Sequence, residues 1–122
     1  MYPLEERTYS FSKKVLMLCK KIKISNLNKN LINQLLKSST SIGANYREAM
    51  GASSKLDFRN KIHICKKESH ETHYWLSLLN ETEKEPSDLI KPLIQEAYEL
   101  TLIFGKIASS MKNRKEKFDT QK

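Results

Sequence analysis

Apolar residues along this chain recur at steps of three and four, the spacing that keeps one stripe of an α-helix facing a core. Phe11, Val15, Leu18 and Ile22 follow one another at steps of 4, 3 and 4. They predict a first helix that stops near the turn-forming cluster Ser25-Asn26-Leu27-Asn28. A second helix is predicted over about residues 31–50, with Ile32, Leu35, Leu36, Ser39, Ile42, Gly43, Tyr46 and Met50 on one face. Its small residues (Ser38, Ser39, Ser41, Gly43, Ala44, Ala49) let neighbouring backbones approach closely, which suits a central position. Gly51 fits the end of that helix, and Ser53 or Ser54 the N-cap of the next. The third pattern runs from Lys55 to about Asn80, with Phe58, Ile62, Cys65, Leu76 and Leu79 in a stripe and Ile64 and Trp75 on its flank. A charged stretch, residues 81–86, closes it with a proline. In the fourth, Leu93, Ala97, Leu100, Phe104, Ile107 and Met111 form the stripe. Pro92 cannot donate to a helical ladder, so the main helix is expected to begin there, after a turn at residues 87–91.

No segment alternates with a period of two. With 3 Gly and 3 Pro in 122 residues, a turn-rich sandwich or barrel is excluded. Long helices joined by short breaks make antiparallel neighbours. The expected fold is therefore all-α, an up-down-up-down four-helix bundle. One domain over residues 1–122 follows, with an ordered core over about 4–111 and a basic tail, 112–122, expected to fray.

Val15-Leu16-Met17-Leu18-Cys19 is the apolar run nearest the N-terminus, and lysine pairs bracket it. It is too short for a secretory signal or a membrane span, so no membrane partner is expected. Cys19 and Cys65 lie within apolar stripes and read as small hydrophobes in a reducing, cytoplasmic setting.

Charge sharpens this picture. Lys plus Arg is 22 and Asp plus Glu is 14, a net +8. Residues 1–52 carry nine basic and three acidic side chains, hence +6. On a helical wheel Lys13, Lys14, Lys20 and Lys21 lie opposite the first apolar stripe, with Lys23 at its edge. Such a ribbon attracts the phosphates of RNA or DNA, with affinity that falls as salt rises. Lysine supplies point charges, so base readout is not expected. The competing reading is a solvated face that keeps the protein soluble.

Glu68 and Thr72 fall inside the apolar arc of the third helix, with Glu71 at its margin. A buried carboxylate needs a partner. Asn45 and Arg47 of the second helix, or another subunit, are the candidates. A hydrogen-bond network that fixes helix register is the favoured account, ahead of a partly exposed Glu that needs no partner and of acid/base or metal chemistry. A di-iron bundle needs Glu-x-x-His, which is absent here. His63 and His70 are seven apart, too far for one ion; His70 and His73 could share one but lack a third ligand at helical spacing except Glu71 or another chain. No cofactor or metal is expected. Ser38, Ser39, Thr40 and Ser41 resemble a reactive cluster only in composition, because no nucleophile elbow or phosphate loop accompanies them. The chain is therefore expected not to be an enzyme. Tyr98, Leu102 and Ile103 lie off the stripe of the fourth helix, which suggests a contact between subunits.

The segments Gln34-Leu35, Ser41-Ile42-Gly43-Ala44-Asn45-Tyr46-Arg47-Glu48-Ala49, Leu56-Asp57-Phe58 and Lys67-Glu68-Ser69-His70-Glu71-Thr72-His73-Tyr74-Trp75-Leu76 carry a family resemblance. Over about residues 10–110 the chain resembles the bacterial four-helix bundle proteins encoded by intervening sequences within 23S rRNA genes, also labelled S23 ribosomal proteins. The resemblance implies an antiparallel bundle that assembles as a homopentamer. It also implies kinship to the accessory protein of diversity-generating retroelements, a basic pentamer that works with a reverse transcriptase and nucleic acid. Asn45, Glu48, Glu68 and Glu71 match the family's polar motif positions, and no catalytic residue transfers. The function expected is weak, charge-driven nucleic-acid binding by an oligomer; the alternative is a protein–protein scaffold or an accessory subunit for a reverse transcriptase.

Overall fold

The computed structural model describes the backbone of residues 2–120 and the side chains of residues 2–86 and 88–111. Four helices follow one another: α1 (Pro3–Lys21), α2 (Lys29–Met50), α3 (Lys55–Thr82) and α4 (Ser87–Thr120). Antiparallel register is set by pairs at matching depth. Thr8 abuts Gly43 between α1 and α2. Lys61 pairs with Glu48 and Thr72 with Ser38 between α3 and α2. The ring of His73 meets that of Tyr98 between α3 and α4. Arg7 grips Glu96 between α1 and α4. This is the all-α, up-down-up-down bundle that the periodicity predicts.

Local chemistry accounts for the helix ends. Pro3 occupies the first turn of α1, where its missing N–H costs nothing. Glu5 and Glu6 sit at the positive end of that helix dipole, and Lys20 and Lys21 at the negative end. Ser54 caps α3 by accepting the Asp57 N–H at 3.0 Å, and the Asp57 carboxylate accepts from the Ser53 N–H at 3.4 Å. The α1–α2 turn is closed by buried Asn28. Its carbonyl oxygen accepts from the Ser25 N–H at 2.8 Å, and its amide donates to the Lys23 carbonyl at 3.0 Å. The same amide reaches Glu83 at 3.4 Å, tying this turn to the end of α3.

The stripe of α1 is wholly buried, as are Ile32, Leu35, Ile42 and Tyr46 of α2, Ile62, Cys65, Leu76 and Leu79 of α3, and Leu93, Ala97, Leu100 and Phe104 of α4. The rings of Tyr46 and Phe104 meet across the core at 5.8 Å. α1 and α2 approach closely at small residues: a Cβ at Gly43 would stand 3.4 Å from Thr8 Oγ1, in ordinary contact. Ser12 Oγ lies 3.1 Å from the Ser39 carbonyl across the same seam. No buried side-chain nitrogen or oxygen lacks a hydrogen-bond partner among the described residues.

Three expectations are corrected. Helix α4 begins at Ser87, not at Pro92, which lies within it. Only the Asp88 carbonyl loses a bond to the missing N–H, a small loss in the second turn, and Ile90 gains a fully buried place. Met50 is 41% exposed, because α2 ends there and the chain turns before anything covers it. Thr8 and Ser38, both buried, lie outside the predicted stripes. The backbone of α4 is helical to Thr120. The fraying expected over 112–122 falls on residues whose side chains, and at 121–122 whose backbone, lie outside the described ones.

Candidate nucleic-acid interface

Lys13, Lys14, Lys20, Lys21 and Lys23 are all exposed, on α1 and the turn that follows. No Asp or Glu occurs in the sequence between Glu6 and Glu48, so beyond Glu5 and Glu6 in its first turn this helix offers the lysines no counter-charge. None of the five belongs to the ion pairs formed among the described residues, which join Arg7 to Glu96 and Glu99, Arg47 to Glu5, and Lys61 to Glu48. The lysines do not all lie opposite the buried stripe as the helical wheel predicts: Lys14 and Lys21, four residues before and three after Leu18, stand beside it. Lys13, Lys14 and Lys21 line a groove against Asp88, Leu89, Pro92 and Leu93 of α4, while Lys20 and Lys23 stand outside its lining.

The polar residues singled out on α2 and α3 are brought near one another but not into one network. Thr72 is fully buried. Its hydroxyl lies 2.7 Å from the Glu68 carbonyl and 2.9 Å from Ser38 Oγ. Asn45 does not reach Glu68; its amide donates to Ser41 Oγ and to the Ser41 carbonyl, each at 2.8 Å. Arg47 turns the other way, to Glu5 of α1 at 3.4 Å. Register explains both misses. Ile42 stands level with Cys65 and Ser38 with Thr72, so Asn45 lies about one turn, and Arg47 nearly two, beyond Glu68. Glu48 meets Lys61 at 2.9 Å, and this contact raises the lysine's pKa.

Glu68 is half-buried. Burial raises its pKa above the usual carboxylate range, and the nearby charge of Glu71 adds to the effect, against the opposing pull of Lys67 and Lys37. Burial likewise lifts the Cys65 thiol to about 12 and the Cys19 thiol to about 11, so neither is a ready nucleophile. His63 and His70 are exposed, and the ring of half-buried His73 lies 6.4 Å from that of Tyr98. Among the described residues no three His, Cys, Asp or Glu side chains are grouped to hold a metal ion.

Tyr98 and Leu102 are 50% and 53% exposed on α4, with half-buried Ile103 beside them. Leu102 and Ile103 line a hollow of about 350 Å³ with Arg7, Glu99 and Lys106. Among the described residues, no helix is long and apolar enough to cross a membrane. The sequence reading passed over Met17 and Leu89, which stand exposed at the lysine-lined groove. Their signal was present: Met17 is an apolar residue about 100° round its helix from the nearest stripe residue, Leu18.

The family of 23S rRNA-intervening sequence proteins matches residues 4–116. The chain belongs to this family. A crystal structure of a protein of unknown function from the S23 ribosomal protein family of Bacteroides thetaiotaomicron VPI-5482 has the same fold, with a TM-score of 0.73 at 33% sequence identity. The alignment covers 85% of this chain and 96% of that one. Among curated proteins none matches. Membership of the 23S rRNA-intervening sequence protein family thus accounts for the architecture, and the surface chemistry must carry any reading of function.

Proposed function

We propose that this 23S rRNA-intervening sequence protein is a non-enzymatic, self-assembling bundle that holds RNA or DNA weakly through the phosphate backbone. One observation supports this above all: five exposed, unpaired lysines on one helix and its turn, within a stretch free of acidic residues. Each lysine offers a mobile ammonium that neutralises a phosphate and releases its counterion. None offers the planar fork with which arginine reads a guanine edge, so the binding is insensitive to sequence. Exposed Tyr98 and Leu102 supply the subunit contact, and a pentamer is the assembly that the family resemblance implies. A ring would repeat the lysine set and multiply individually weak contacts.

Light scattering and fluorescence anisotropy with a generic structured RNA, across a salt series, test the reading. If all five lysines engage, log affinity falls against log salt with a slope of about −4. Replacing Lys13, Lys14, Lys20 and Lys21 by Glu is expected to abolish binding while circular dichroism stays helical. Unchanged affinity in that variant would sink the proposal.

A further inference from the structure

Helix α1 packs least against α4 of all its neighbours, which leaves a furrow of about 560 Å³ between α1 and the opening turns of α4. Its floor is apolar, with buried Leu18 and Leu93 and with Pro92 beside them. Met17 and Leu89 form its lips, 48% and 43% exposed. The α1 wall is basic, with Lys13, Lys14 and Lys21; the α4 wall carries Asp88.

Phosphates would use the lysines but not this floor. Bases stack best on aromatic faces, and among the described residues no aromatic side chain lines the furrow. An aliphatic floor with a methionine lip suits aliphatic side chains, and methionine adapts to their shape. We propose that the furrow docks one amphipathic helix of a partner protein, with leucine-like residues on its floor and carboxylates along the α1 wall. This is helix-in-groove recognition with the charge complement supplied by the lysines. From Ser10 to Lys21 the furrow runs about 16 Å, which holds about three helical turns. Asp88 repels acid on the opposite wall, so the docked helix carries its carboxylates on one flank only. That asymmetry sets its direction. The inference goes beyond the phosphate-binding reading and does not depend on it.

The probe is a labelled peptide of about 18 residues, long enough to be helical when bound, with leucine on one face and glutamate on one flank. It is compared with a peptide of the same composition in scrambled order and with one carrying lysine in place of glutamate. Anisotropy is expected to show the first binding about tenfold or more tightly than either control. Amide shifts in the NMR spectrum are expected around Met17 and Leu89. Replacing Met17 and Leu89 together by Gln leaves every lysine in place and alters only exposed positions. It is expected to weaken the peptide about tenfold while RNA affinity is unchanged. Equal binding of the scrambled peptide would reduce the contact to bulk charge and overturn the proposal. So would an unaltered affinity in the double variant, the absence of peptide binding at millimolar concentration, or a parallel loss of RNA, which would assign the furrow to nucleic acid.

Discussion

Thr72 on α3 and Ser38 on α2 place their hydroxyls 2.9 Å apart in the buried seam between the two helices. Each hydroxyl also has a carbonyl of its own helix within reach: Glu68 at 2.7 Å for Thr72, and Leu35 at 3.3 Å for Ser38. With one proton apiece, the two hydroxyls share three acceptor contacts, and either can fall back on its own backbone. Thr72→Val or Ser38→Ala is therefore expected to cost only about 0.5–1.5 kcal/mol in urea unfolding. The double variant should cost less than the sum, because the second change removes a group already deprived of its partner. Strict additivity would show that the hydroxyls do not interact.

Gly43 tests how closely α1 must approach α2. A Cβ there would stand 3.4 Å from Thr8 Oγ1, at the edge of ordinary contact. Alanine also gains about 1 kcal/mol of helix propensity over glycine. Gly43→Ala is expected to be nearly neutral. Gly43→Leu cannot be housed without parting the helices, and it should lower the unfolding free energy by about 1–3 kcal/mol.

Arg7 holds α1 to α4 through two bonds to Glu96, at 2.6 and 2.9 Å, with Glu99 at 3.8 Å. The pair is partly exposed, so its worth to global stability is about 0.5–1 kcal/mol. Its removal should be felt locally. In Arg7→Ala, amide exchange is expected to speed up over the first two turns of α1 and stay unchanged in α3, which other contacts secure.

Glu68 gives the pH prediction. Burial raises its folded-state pKa above the unfolded value, so the native state binds the proton more tightly. Stability is then lost as pH rises through the folded pKa, and protonation at lower pH restores it. Glu68→Gln removes the ionisable group. It is expected to raise the urea midpoint at neutral pH, with the gain vanishing below the ordinary carboxylate pKa near 4.5. A gain that persists at low pH would point to packing instead of charge.

The pattern of apolar steps by itself determined four helices, their order and most of their buried faces. Phe11, Val15, Leu18 and Ile22 could be read directly, because a period near 3.6 admits one buried side. Sequence also marked the lysines as exposed, since the helical wheel set them off the buried stripe. Partnership across helices was not legible. Whether Asn45 meets Glu68 depends on how far α2 slides along α3, and each turn of slide exchanges one neighbour for another. Arg47 found Glu5 because α1 lies on its side of α2, a fact of three-dimensional order. The furrow between α1 and α4 has the same origin. It exists because those two helices stand apart, and only the tertiary packing decides that separation.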